Sequence, residues 1–62
     1  MKAQIKAQDL QVGFTFVSKG SKMTVARIKQ VCEDKITFFV FQHIMNSYTT
    51  VTINKSEIVY SA

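Results

Sequence analysis

Residues 10–31 have the sequence LQVGFTFVSKGSKMTVARIKQV, and the prediction of a β fold rests mainly on them. Apolar residues occupy every second position from Leu10 to Phe16, as in a strand that buries one face and exposes the other. Residues 19–21, Lys-Gly-Ser, supply a tight reversal, and Met23 to Val31 is a long β-rich segment. The stretch therefore predicts a β-hairpin with a core strand from Leu10.

The second strand of this hairpin is predicted to bend. Met23 and Val25 share one parity, whereas Ala26 and Ile28 share the other, so the buried face changes sides near Val25. A β-bulge produces such a change. Strongly bent strands allow a small sheet to fold over on itself.

Three further strands are predicted towards the C-terminus, at residues 35–42, 48–54 and 58–60. Polar pairs predict a turn at Glu33-Asp34, before the first of these strands, and another at Asn46-Ser47, before the second. Asn54, followed three residues later by Glu57, resembles a helix start and predicts one helical turn before the last strand. At the other end, alternation from Lys2 to Gln8 predicts that residues 1–9 form an edge strand or a flexible arm, with a short helix as the alternative.

The resulting prediction is one all-β domain, residues 1–62, with a small five-stranded, strongly bent antiparallel sheet or an SH3-like barrel. Five short strands with a one-turn helix before the last resemble the SH3-like small barrels from Leu10 to Tyr60. Residues 10–13, LQVG, are a common opening of such domains, and residues 23–28, MTVARI, resemble the second strand of small phage or prophage proteins of this type. Because such folds serve many functions, the resemblance implies an architecture only.

The composition argues against catalysis and against a metal cofactor. Cys32 is the only cysteine and His43 the only histidine, too few for a zinc or iron site within one chain. Cys32 is expected to be buried at a strand end rather than paired with His43 as a nucleophile. Gly13 and Gly20 are the only glycines, so no phosphate-binding loop of the familiar glycine-rich kinds can form. We expect a protein without cofactors that is not an enzyme.

The charge pattern favours an anionic partner. Eight lysines and arginines face four acidic residues, and between Asp9 and Glu33 the charged residues are all basic. The predicted ligand-binding residues are the cations Lys19, Lys22, Arg27 and Lys29, with Phe39, Phe41 and Tyr48 as stacking surfaces for bases. If the second strand is regular, Arg27 and Lys29 lie on one face about 7 Å apart. The sequence thus predicts a non-enzymatic binding module for nucleic acid or a nucleotide, although a phenylalanine core under a solvating lysine surface would give the same pattern.

A second hypothesis comes from the strand at residues 35–42, which is apolar on both faces. A small sheet cannot cover both faces, so either Phe39 and Phe41 or Phe38 and Val40 are expected to be exposed. The alternative function is a small phage-type inhibitor that acts as a homo-oligomer and binds a host protein or sequesters a host signalling nucleotide.

The location is expected to be the cytoplasm. A lone cysteine fits a reducing compartment, and residues 1–10 lack the apolar centre of a secretory signal peptide. The longest apolar run, Phe38 to Phe41, is far shorter than the roughly 20 residues that span a membrane. No membrane partner is expected.

Overall fold

Six antiparallel strands form one open sheet in the computed structural model, which describes residues 3–62. They are β1 (Gln4–Lys6), β2 (Thr15–Ser18), β3 (Ser21–Val31), β4 (Lys35–Gln42), β5 (Ser47–Asn54) and β6 (Ile58–Ser61). The order across the sheet is β1-β6-β2-β3-β4-β5, so β1 and β5 are its two edges. The all-β prediction is confirmed, but the number of strands is six rather than five because β1 pairs with β6.

The N-terminal segment combines the two structures that its sequence predicted. β1 is an edge strand, and Ala7–Asp9 then forms a single 3₁₀ turn, whereas residues 1 and 2 lie outside the described part. The helical turn predicted between Asn54 and Glu57 is wrong, since those residues form a plain turn in which the Glu57 N–H donates to the Asn54 carbonyl. The Glu57 carbonyl instead accepts from the Ala7 N–H, at 2.9 Å, which ties the 3₁₀ turn to this segment.

The predicted core strand from Leu10 to Phe16 is only partly correct, because β2 begins at Thr15. Gly13 adopts a left-handed conformation (φ 91°), and the Phe14 N–H donates to the Gln11 carbonyl in a tight turn. Leu10 and Phe16 are buried as expected, but Val12 lies on the turn and is 63% exposed. The alternation of apolar residues in the sequence thus runs through residues that form a turn rather than an extended strand.

The hairpin between β2 and β3 has the reversal that the sequence predicted. Ser18 pairs with Ser21, and the two residues between them both have positive φ, 53° at Lys19 and 78° at Gly20. Positive φ at both central positions is the type I′ turn, whose twist matches that of the flanking strands. Gly20 tolerates this conformation without cost, whereas Lys19 does not.

β3 bends as predicted. Its pairing with β4 shifts register between Val25 and Arg27, which confirms the bulge near Val25, and shifts again between Ile28 and Gln30. The bent sheet curls over one of its faces, and the 3₁₀ turn contacts β5. This inner face holds the buried hydrophobic core, which comprises Ala7, Leu10, Phe16, Met23, Val25, Ile36, Phe38, Val40, Ile53 and Val59.

β4 separates its apolar side chains between two environments. It spans Lys35–Gln42 as predicted, and Phe38 and Val40 on the inner face are completely buried. Phe39 and Phe41 lie on the opposite face and are half-buried. The expectation that Cys32 is buried is wrong, since it follows the end of β3 and is exposed there.

Candidate functional site

The candidate site lies on the face of β3, β4 and β5 opposite the core, which we call the outer face. Successive side chains of a strand point to opposite faces, so the burial of Phe38 and Val40 places Phe39 and Phe41 on the outer face. β4 is flanked by β3 and β5, and both aromatic side chains therefore lie well inside the sheet rather than at its edge.

Tyr48 of β5 joins the two phenylalanines into one cluster. It pairs directly with Phe41, and the rings meet edge to face with centroids 5.1 Å apart. Phe39 is its diagonal neighbour, and these rings stack almost parallel, with centroids 5.3 Å apart and planes inclined by 7°. Tyr48 remains 60% exposed, so the stack presents a flat ring to solvent.

His43 extends this cluster at the end of β4. Its ring lies edge-on to Phe41 with centroids 5.3 Å apart, and its Nε2 is 2.7 Å from the Thr24 Oγ1. Thr24 Oγ1 is in turn 2.8 Å from Thr15 Oγ1, so a chain of hydrogen bonds that links β2, β3 and the turn after β4 orients the imidazole. We call Phe39, Phe41, His43 and Tyr48 the aromatic strip.

Arg27 caps the strip on the side of β3. The first bulge of β3 sets Arg27 opposite Phe39, and the guanidinium carbon lies 5.7 Å from the centroid of that ring. An arginine within about 6 Å of an aromatic face is held there by a cation–π interaction while its N–H groups stay available to a ligand. The strip thus carries a positioned cation over Phe39, the ring on which Tyr48 stacks.

The other predicted cations are distributed over three places. Lys22 lies on the outer face beside the strip, since its carbonyl accepts from the His43 N–H and its parity matches that of Thr24. Lys29 falls at the second bulge of β3, so its expected regular alignment with Arg27 is wrong. Lys19 is at the hairpin tip, where it lines an open depression with Met23 on the inner side of the sheet.

The structure therefore brings together Arg27, Phe39, Phe41 and Tyr48, with Lys22 next to them. The sequence predicted no binding role for His43 or for Thr24. The signal for His43 was the same alternation, because positions 39, 41 and 43 share one parity. Thr24 carried no separate signal, since its contact with His43 depends on the register between β3 and β4.

Acidic residues are kept away from the outer face. Asp9 lies in the 3₁₀ turn, Glu33 and Asp34 form the turn before β4, and Glu57 follows β5. The strand cations Arg27 and Lys22 therefore act on a surface without a neighbouring carboxylate on the same strands. Such an arrangement favours the approach of anions.

The described residues do not assemble a nucleophilic or metal-binding centre. Cys32 precedes β4 and His43 follows it, so the eight-residue strand separates them by about 25 Å. Within residues 3–62, His, Cys, Asp and Glu form no group of three or more that could hold a metal ion. The same residues contain no helix that is long and apolar enough to cross a membrane.

Comparison of the chain with models of protein families, with curated proteins and with solved structures finds no match in any of the three.

Proposed function

We propose that this protein is a non-enzymatic binding module whose outer face binds single-stranded nucleic acid. The observation that carries the proposal is the aromatic strip with Arg27 over Phe39 and with Tyr48 60% exposed. Bases of a single strand are free to stack on such rings, whatever their sequence. Arg27 and Lys22 are placed to bind the phosphates that connect the bases.

The shape of the outer face favours a nucleic acid strand over a mononucleotide as the ligand. Pockets for small molecules are concave and enclose most of their ligand. The aromatic strip instead lies on an exposed sheet face. The depression of about 340 Å³ at Lys19 belongs to the inner side, and a second open depression, of about 380 Å³, includes only Tyr48 of the strip. The exposed Tyr48 ring, with half-buried rings behind it and cations beside it, suits a ligand that is itself extended and repetitive.

Our proposal includes the finer fold assignment, an SH3-like small barrel. The support is the bent β3, which pairs with β2 in its first half and with β4 over most of its length, and the curling of the sheet over its own core. The phage or prophage source stays part of this proposal, on the resemblance of residues 23–28 alone.

A protein partner is the second candidate, as in a small inhibitor of a host protein. The observation that favours it is the turn after β4, where Ile44 is 80% and Met45 68% exposed beside His43. Exposed apolar side chains next to an aromatic surface often mark a protein interface. A partner protein would cover this turn, whereas a nucleic acid strand would follow the rings and cations.

Replacement of Tyr48 by alanine tests the nucleic acid proposal. Stacking of a base contributes about 1–3 kcal/mol, so Tyr48→Ala is expected to weaken binding of a fluorescent single-stranded oligonucleotide by roughly 5-fold to 150-fold. Fluorescence anisotropy measures the Kd, and circular dichroism verifies that the variant is folded.

Tyr60→Ala is the matched control. Tyr60 is a partly exposed tyrosine of β6, which is separated from β4 by β2 and β3. The Tyr60→Ala variant should bind the oligonucleotide with the affinity of the unmodified protein. Equal losses in both variants, or no binding of single strands by the unmodified protein, would refute the proposed function.

A further inference from the structure

The free edge of β5 has main-chain groups that lack a strand partner among residues 3–62, because β5 pairs only with β4. The direction of these groups follows from the register. The Lys55 N–H donates to the Asp34 carbonyl at 2.9 Å, and bonded pairs recur at every second position of an antiparallel ladder. Thr49, Val51 and Ile53 therefore bond to β4, whereas Tyr48, Thr50 and Thr52 direct their N–H and C=O groups outwards.

The pairing on the other side of β4 agrees with this assignment. The His43 N–H donates to the Lys22 carbonyl, so residues of that parity in β4, including Phe41 and Phe39, bond towards β3. The remaining parity of β4 is then left for β5. An edge strand with outward N–H and C=O groups is a template for another strand.

The other exposed edges of the sheet carry features that discourage pairing. β1 is only three residues long and ends in Lys6. On this side β3 is paired only as far as Val25, by β2 and by the Gly13 and Phe14 that precede it, and its free part contains both bulges together with Arg27 and Lys29. Short length, bulges and cations are the means by which proteins protect an edge.

β5 has none of these protections. It is eight residues long, SYTTVTIN, and its pairing with β4 runs without a register shift. It contains no charged residue and no proline, and it is rich in β-branched residues. A strand of this composition is prone to associate through its edge.

We propose that β5 pairs in antiparallel fashion with β5 of a second copy of this chain. The chain carries a net charge of +4, so two copies repel each other electrostatically. Because β5 contains no charged residue, pairing two β5 strands brings no like charges together. With Thr50 opposite the second copy's Thr50, one threonine pair lies at the centre and Thr52 of each copy faces Tyr48 of the other. Threonine pairs and pairs of an aromatic with a β-branched residue across strands stabilise a sheet.

This pairing has a consequence for the outer face, although it does not depend on the proposed ligand. The two sheets become one, and Tyr48 of each copy lies on the same face of it. The two aromatic strips then form a continuous surface across the two-fold axis, on which one nucleic acid strand contacts both copies.

Thr50→Pro tests the pairing without a ligand. Proline removes the outward N–H of Thr50 and leaves the bonds of Thr49 and Val51 to β4 in place, a position at which edge strands tolerate proline. Thr50→Val keeps the N–H and is the matched control. By light scattering after size exclusion, we expect dimers for the unmodified protein and for Thr50→Val, and monomers for Thr50→Pro.

Amide hydrogen exchange of the unmodified protein provides a second measurement that does not require the proline variant to fold. If β5 is paired, the amides of Tyr48, Thr50 and Thr52 exchange as slowly as those of Thr49 and Val51. Fast exchange at the three outward positions overturns the proposal. A monomeric unmodified protein also overturns it, as does a folded Thr50→Pro variant that remains a dimer.

Discussion

At the scale of single residues, Phe38 and Phe39 show how one step along a strand changes the role of a side chain. Phe38 is completely buried among core residues from several strands, whereas Phe39 is half-buried between Arg27 and Tyr48. The first therefore stabilises the fold, and the second mainly shapes the outer face.

Alanine substitutions at these two positions should differ strongly in their effect on stability. Removal of a buried phenylalanine side chain costs about 3–5 kcal/mol. At roughly 0.05–0.15 kcal/mol per residue, a chain of 62 residues is stable by about 3–9 kcal/mol, so Phe38→Ala removes a large share of its stability. Phe39→Ala loses a surface aromatic pair and part of its burial, about 1–2 kcal/mol. Urea denaturation followed by circular dichroism measures both, and equal losses would contradict the assignment of the two faces.

This distinction could not be predicted from the sequence. Residues 36–41 are apolar at almost every position, so the period of two that identifies a strand does not say which parity is buried. The answer depends on Phe16, Met23 and Ile53, which reach the inner face through pairings distant in sequence. The aromatic members of the site were predictable as residue types, but their grouping with Arg27 required the bulge of β3.

At the scale of elements, the strands with strong alternation and clear turns were predictable. β4 matches its predicted range, and the tight reversal and the first bulge of β3 followed from residues 19–28, whereas the type I′ geometry is seen only in the structure. The wrong predictions concern segments in which backbone hydrogen bonds, and not the local pattern of residues, determine the structure. Gly13 ends the alternation from Leu10 with a turn, and the helical turn forms at Ala7–Asp9 instead of beside Glu57.

The hairpin turn offers a stabilising substitution. Lys19 has a left-handed φ of 53°, which costs most L-residues about 1–2 kcal/mol, whereas asparagine adopts it readily and Asn-Gly is the favoured type I′ pair. Lys19→Asn is therefore expected to raise the free energy of unfolding by about 1 kcal/mol, as measured by urea denaturation. Lys22→Asn removes the same charge from an extended residue of β3 and should give no gain. A Lys19→Asn protein no more stable than the unmodified one would contradict the turn assignment.

At the scale of the whole molecule, charge and shape divide the sheet into two sides. The inner face folds over the core, and the outer face presents aromatic rings with Arg27 and Lys22 beside them. All four acidic residues lie outside the strands. The outer face of β3, β4 and β5 therefore presents cations on strands that carry no carboxylate.

The salt dependence of binding tests most directly whether the outer face holds the phosphates of a nucleic acid strand. For the unmodified protein, the logarithm of the affinity for a labelled single-stranded oligonucleotide should fall linearly with the logarithm of salt concentration, with about 0.7 of slope for each phosphate bound. The double variant Arg27→Gln, Lys22→Gln should flatten this slope by about 1.4. Lys6→Gln, Lys55→Gln removes the same charge from β1 and from the turn after β5, and its slope should stay unchanged. An affinity indifferent to salt, or equal flattening by both double variants, would contradict the account.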